Sequence, residues 1–329
     1  MSKTIIYKLS PRGPFHIGGS GIGIEKTWEF IHSDTLFSAI VSAWRSLGEK
    51  MDSDGNMELL EPFFSQSSNL PFRLSSAFPY ACNVLLYPAP KIKSGTDKEE
   101  RKAQFVSSMI LRSGKIGGIP KQSSKVYVDE CEKNCVPDVI WKSGYSAIVP
   151  RVTIDRINSA SAIYHCGEVV FSDDCGLYFW VELIDESYEN HLNRAIEFLS
   201  EAGIGGERSI GCGQFTYSKP ESISLPIVDD PNMDMTLSLY HPTCHEVKAG
   251  VLDGSAYELV NRRGWLRSPD GGAQRRKSVK MLSEGSVFSQ SSFVGDISDV
   301  KPDEWKPHPI YEYGLAFKLP IRWGGEESA

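Results

Sequence analysis

Apolar and polar positions alternate through residues 4–9 (TIIYKL), a β-prone run that predicts a first strand. A glycine-rich stretch follows, and the period then changes: Leu36, Phe37, Ile40, Val41, Trp44 and Leu47 share one helical face. Ser33 is the expected N-cap. Asp34 puts an acid in the first turn, where the helix dipole favours it, and Gly48 stops the helix. Residues 91–145 are rich in Ser, Gly and Lys with weak periodicity, and predict an insertion of loops or a hairpin outside the core. Residues 162–171 and 177–183 read as strands joined by the turn-like 172–176. Tyr188, Leu192, Ala195, Ile196 and Leu199 mark a second amphipathic helix ending at Gly203, and 214–217 form the next strand.

The order β-α-(β, insertion, β)-β-α-β predicts an α+β fold with a ferredoxin-like (RRM-like) unit over residues 1–220. Three prolines and two adjacent aspartates between 220 and 231 predict a linker. Beyond it, strand-like runs at 236–240, 257–263, 279–282 and 313–319 predict a second, mostly β domain over 221–329, a degenerate ferredoxin-like unit.

Composition narrows the class. The chain has 329 residues, and no apolar run approaches the ~20 that a membrane helix needs, so no membrane is expected. The N-terminus lacks signal-peptide regions, which predicts a cytoplasmic protein. Seven cysteines without recurrent spacing predict reduced thiols, and neither Cys131/Cys135 nor His241/Cys244/His245 has the further ligands of a zinc site; no metal or cofactor is expected.

The net charge of −7 argues against a polyanion partner until its distribution is read. Residues 91–125 and 261–280 each carry +6, which leaves −19 for the rest. Basic islands on an acidic body suit a protein that grips a polyanion in one place and docks on proteins elsewhere.

The densest local signal is Gly203-Ile204-Gly205-Gly206-Glu207-Arg208-Ser209-Ile210-Gly211-Cys212-Gly213. Glycines admit close backbone approach to an anion, and Arg208 supplies a fork of donors matched to phosphate. The run has no Gly-Lys-Ser/Thr, and it follows a helix rather than a strand, which excludes a P-loop and a dinucleotide fingerprint. Two readings remain, an anion cradle and a tight glycine-capped turn. Trp265, beside Arg262 and Arg263, likewise has two: a base-stacking platform or a core anchor.

The helix, the G-x-G-G-x-R-S-x-G-x-G run and the aromatic Phe215 resemble the glycine-rich loop of RAMP-superfamily CRISPR proteins. His16-Ile17-Gly18, Ile31 to Ala39, Arg151 to Arg156, Arg263-Gly264-Trp265, Glu284 to Phe288 and His308 to Gly314 resemble the fourth subunit of type III-A (Csm) effector complexes, in order and over nearly the whole chain. The resemblance implies a non-catalytic RNA-binding subunit that caps the repeat-derived 5′ handle of crRNA in antiviral defence and meets target RNA only indirectly. It implies two protein partners, the large polymerase-like subunit that makes cyclic oligoadenylates and the backbone RAMP subunit. It also implies a thumb-like inserted hairpin, for which 91–145 is the candidate.

The expected RNA contacts are His16, Gly18, Gly19, Arg151, Arg156, Gly205, Gly206, Arg208, Ser209, Gly211, Gly213, Arg262 and Arg263. The rival is a RAMP-type endoribonuclease processing precursor crRNA, for which His16 and His32 are the only general acid–base candidates weighed. Asp34 is read as a helix-start residue rather than a metal-binding catalytic one.

Overall fold

A computed structural model of the chain describes residues 2–18, 25–50, 57–64, 70–92, 98–222, 224–226, 228–266, 274–289 and 292–323. The chain runs through β1 (Lys3–Pro11), α1 (Ser33–Ser46), the one-turn α2 (Glu61–Phe64), β2 (Phe72–Leu74), β3 (Phe78–Ala81) and β4 (Val84–Pro88). It continues through β5 (Phe105–Ser107), α3 (Ser108–Ser113), β6 (Ile119–Lys121), β7 (Val126–Val128) and β8 (Trp141–Lys142). Next come β9 (Ile148–Ile154), β10 (Ser161–Gly167), β11 (Val170–Phe171), β12 (Cys175–Leu183), α4 (Tyr188–Ala202), β13 (Phe215–Tyr217) and β14 (Glu221–Ser222).

These strands build one long sheet in the order β13-β1-β12-β3-β4-β5-β7-β6, with β2 also on β12 and β14 on β1. β1 is central because both its edges are paired and its alternation buries Ile5, Tyr7 and Leu9. Tyr7 stacks on Phe179 at 5.0 Å, and its hydroxyl donates to Asn193 Oδ1 of α4 at 2.7 Å. α1 packs beside α4, where Trp44 Nε1 donates to the His191 carbonyl at 2.9 Å. Each large apolar side chain buried here contributes about 1.5–3 kcal/mol. Ser33 lies against Ser76 while Trp44 lies against Phe72, so α1 runs antiparallel to β1. The start of α1 and the end of β1 therefore share one end of the sheet.

Three expectations are corrected. Residues 91–145 are not outside the core: β5, β7 and β8 extend or flank the sheet, and Val106, Val126, Val128, Ile140 and Trp141 are buried. Strands of two or three residues are too short to show a period. The run 162–171 is divided, β10 pairing with β9 and β11 with β8. The linker expected at 220–231 begins as β14, on β1.

Among the described residues the strands of the β9–β10 hairpin pair only with each other, the register running from Ile148↔Gly167 to Ile154↔Ser161. Its outer half is exposed on both faces: Val152, Ile154 and Ile163 are open, and Ile157 at the tip is 96% exposed. It projects from the sheet, whereas 91–145, where a projecting hairpin was expected, does not.

The second half comprises β15 (Met233–Thr236), the short α5 (Cys244–Lys248), β16 (Leu259–Arg262), β17 (Trp265–Leu266), β18 (Gln274–Arg275), β19 (Val279–Leu282), β20 (Val287–Phe288), β21 (Gly295–Asp299), β22 (Tyr311–Leu315) and β23 (Lys318–Ile321). β15 lies between β20 and β23, and β16–β19, β17–β18 and β21–β22 pair antiparallel. Met235, Leu237, Tyr313, Leu315, Phe317, Leu319 and Trp323 join the same apolar core as β1, α1 and α4.

A buried polar seam locks the two halves at the start of α1. The helix begins at Ser33, and its N-cap is His32, which makes no side-chain capping bond. Ser33 does not cap, because its Oγ accepts from the Leu239 N–H at 3.0 Å and its own N–H donates to Ser76 Oγ. His32 Nδ1 lies 2.8 Å from Glu284 Oε1, to which Ser76 also donates. Asp34 accepts two bonds from Arg262, at 2.6 and 3.0 Å, and Arg276 pairs with Glu312. Burial raises the Asp34 pKa, but Arg262 outweighs burial and holds the carboxyl below its usual range. For Glu284 burial is likewise overcome, by His32 and Ser76. Burial and the Asp34 charge push Glu312 well above its usual value.

Candidate nucleic-acid interface

α4 ends at Gly203, whose φ of 78° turns the chain out of the helix and whose N–H still donates to the Leu199 carbonyl. The loop then folds back on itself: Ile204 N–H donates to the Gly213 carbonyl, Gly213 N–H to Pro14, and Gly206 N–H to His16. A Cβ at Gly205 would lie 2.4 Å from the His16 carbonyl oxygen, and one at Gly213 would lie 2.1 Å from the Ile204 oxygen. Packing of the loop on itself and on residues 14–16 thus accounts for most of the glycine count.

What remains open is the outer turn. Arg208, Ser209, Ile210 and Gly211 are exposed, and Gly211 takes φ 91° with open space where a Cβ would be. A cavity of about 470 Å3 beside this turn is lined by Ala202, Glu207, Arg208 and Ser209. Arg208 makes no salt bridge among the described residues, so its guanidinium is available to an anion; Glu207 on the same rim disfavours one approaching from that side. Glu207 takes a left-handed φ of 54°, which no local sequence pattern marks.

The neighbours of the turn are placed by β1 and by the root of the hairpin. His16 is buried, and its Nδ1 lies 2.7 Å from the Gly167 carbonyl, which fixes the ring by donation from Nδ1. Cys166 and Cys212 lie in the same region, and burial pushes the Cys212 thiol up to about 11, so it stays protonated. Arg151 pairs with the buried Glu168 at the hairpin root, whereas Arg156 is exposed near its tip. Gly18 is exposed in a bridge to Thr27, and Gly19 lies outside the described residues.

Arg262 requires a correction. It is 6% exposed, committed to Asp34 and Thr35, and is a structural clamp rather than an RNA contact. Its neighbour Arg263 is exposed. Asp34, in turn, is spent on this pair as well as on the start of α1. The basic island at 91–125 is partly paired: Lys91 with Glu258, Lys102 with Glu99, Lys121 with Asp138 and Lys125 with Glu29. Of the two histidines weighed for catalysis, His32 is enclosed in the seam against Glu284. Among the described residues no three His, Cys, Asp or Glu side chains converge on a metal-sized site, and all seven cysteines are free. No helix among them is long and apolar enough to cross a membrane.

The exposed apolar hairpin escaped the sequence reading. Its signal was the β-branched run 148–154 ahead of the turn-forming stretch 155–160, and the reading of 162–171 as one strand hid it.

The sheet, the two helices on it and the glycine-rich αβ loop are those of a known class. The chain belongs to the RAMP superfamily, whose family model matches residues 8–216. Residues 229–321 match the model of the CRISPR Csm4 C-terminal domain. The protein named CRISPR system Cms protein Csm4 from Thermococcus onnurineus is 27% identical over 332 residues, covering 98% of each chain. The like-named protein of Streptococcus thermophilus is 26% identical over 300 residues, covering 88% of this chain and 91% of that one. In fold, the chain is similar to one in a crystal structure of the Csm3-Csm4 subcomplex of the type III-A CRISPR-Cas interference complex, with a TM-score of 0.62 at 20% identity, over 97% of this chain and 99% of that one. A second likeness is to a chain in the Csm1-Csm4 cassette in complex with cA4, with a TM-score of 0.57 at 22% identity over 98% and 100%.

Proposed function

We propose that this chain is the subunit of a type III-A CRISPR complex that holds the repeat-derived 5′ handle of the guide RNA and does not itself cut RNA. One observation carries the reading. The glycine-rich loop is braced by packing on residues 14–16, so that Arg208, Ser209 and Gly211 are presented to solvent on a rigid turn. A rigid turn with an unpaired guanidinium and a glycine that leaves room for close approach binds a phosphate backbone at small entropic cost. The order β13-β1-β12-β3 with α1 and α4 on one side is the ferredoxin-like pattern shared with RNA-recognition domains, which supports the ligand class.

The hairpin of residues 148–167 takes the thumb role, in place of 91–145. Its exposed isoleucines suit a wedge between bases, and Arg156 near the tip suits a phosphate. The titles of the similar structures pair Csm4 with Csm3 and with Csm1, and we assign the backbone RAMP subunit and the large polymerase-like subunit as this chain's partners on that basis. The burial of His16 and His32 supports a non-catalytic role, because a general acid or base must reach its substrate.

The test is co-expression with the other complex subunits and a guide, with capture on this chain. Wild type recovers guides with intact handles, and Arg208→Ala recovers less RNA, with a salt slope shallower by about 1. Undiminished guide retention by Arg208→Ala refutes the loop assignment. Cleavage of repeat RNA by the purified chain, abolished by His16→Ala, would replace the reading with the nuclease.

A further inference from the structure

The second basic island divides sharply in the structure. Arg262, Arg276 and Lys277 are spent on Asp34, Glu312 and Asp303. Arg263, Arg275 and Lys280 are exposed, and none of the three has a carboxylate partner among the described residues. They stand on the β16–β19 and β17–β18 ribbon. There Trp265 pairs directly with Arg275 across the strands, and Asn261 with Lys280. Trp265 is 60% exposed, whereas the other described tryptophans are buried or half-buried. The Arg275 guanidinium lies 5.0 Å from the centre of its ring, so one face of the indole is covered by a cation and the other is open.

We propose that Trp265, with Arg263, Arg275 and Lys280, is a second contact for single-stranded RNA, in which one unpaired base stacks on the open face of Trp265 and the cations hold its flanking phosphates. The proposal shares with the glycine-loop reading only the class of ligand. Three arguments favour RNA over a protein. An exposed indole costs solvation unless something covers it, and every base has a π-face that fits. Its cations without a carboxylate partner among the described residues, Arg263, Arg275 and Lys280, stand on a chain whose net charge is −7, so their complement is a polyanion. Cation–π contact with Arg275 also holds the ring in place before the base arrives, which lowers the ordering cost of stacking. The patch lies on the ribbon that Arg262 anchors to the start of α1, at the end of the sheet that also carries the glycine-rich loop.

The experiment titrates the full-length chain with a short, mixed-sequence, labelled single-stranded RNA at about 50 mM salt, where phosphate binding is strong. Trp265→Ala is expected to weaken binding roughly 5- to 100-fold, and Trp265→Tyr to retain most of it. Arg263→Ala combined with Lys280→Ala is expected to flatten the salt slope by about 1–2 without altering the melting temperature. Unchanged affinity for Trp265→Ala overturns the proposal, as does absence of RNA binding by wild type. Tighter binding of a polyglutamate peptide than of RNA overturns it in favour of an acidic protein segment. Arg208→Ala run in parallel separates the two sites. Loss with Arg208→Ala alone sinks only the Trp265 patch, and loss with Trp265→Ala alone sinks only the glycine-loop reading.

Discussion

Gly211 and Gly213 stand two residues apart in the loop and do different things. At Gly213 a Cβ collides with the Ile204 backbone, whereas at Gly211 it meets nothing within 4 Å. Gly213→Ala is therefore expected to distort the loop and to cost about 1–3 kcal/mol in thermal or denaturant unfolding. Gly211→Ala meets only the left-handed backbone penalty, about 1–2 kcal/mol. If the phosphate backbone approaches this turn closely, Gly211→Ala weakens guide retention by far more than its effect on stability explains. Equal small losses in both measurements would show that nothing approaches there. The sequence made the glycines conspicuous, but it could not separate those that pack from those that face a ligand, because that depends on residues 14–16 arriving from the other end of the chain.

Local propensity formed the long elements well and placed the short ones badly. α4 follows its apolar face from Tyr188 to Ala202, and β1 its alternation, because each is long enough to show a period and buries one face against the other. The hairpin at 148–167 has no core face to pattern it, since both faces of its outer half meet solvent. Replacing residues 155–160 by a two-residue Asn-Gly turn is expected to leave the melting temperature of the chain nearly unchanged, because these residues touch little else. In the assembled complex the same change is expected to alter the spacing of target-RNA cleavage; a wild-type cleavage pattern would end the thumb assignment for this hairpin. Ile157→Asp, at a 96% exposed position, should likewise be silent in stability, within about 0.5 kcal/mol.

For the molecule as a whole, the seam at the start of α1 holds one half against the other. Arg262→Ala leaves Asp34 buried without its cation and is expected to cost about 3–5 kcal/mol, read by denaturant unfolding. Arg263→Ala, one residue away and exposed, should cost less than about 0.5 kcal/mol. The seam also predicts a pH dependence. Glu284 is held below its ordinary pKa in the folded protein, so its contribution is complete above the ordinary carboxylate range, near 4, and is lost as pH falls below it. Wild type should lose melting temperature on going from neutral pH to below that range more steeply than Glu284→Gln. Parallel slopes would show that Glu284 carries no linked proton.

The alternation of β1, the helical faces of α1 and α4 and the glycine-rich run between α4 and β13 were determined by sequence alone, because each is a regular signal carried by neighbouring residues. Membership of the RAMP superfamily was legible from those residues in that order. Tertiary structure decided the rest. Asp34 became half of a buried ion pair because Arg262 arrives from the far end of the chain, and residues 91–145 became core because their short strands found edges to pair with. Arg262 and Arg263, adjacent and alike in sequence, were divided into a clamp and an exposed cation by which of them the ribbon turns inward, a choice made by contacts that no local pattern records.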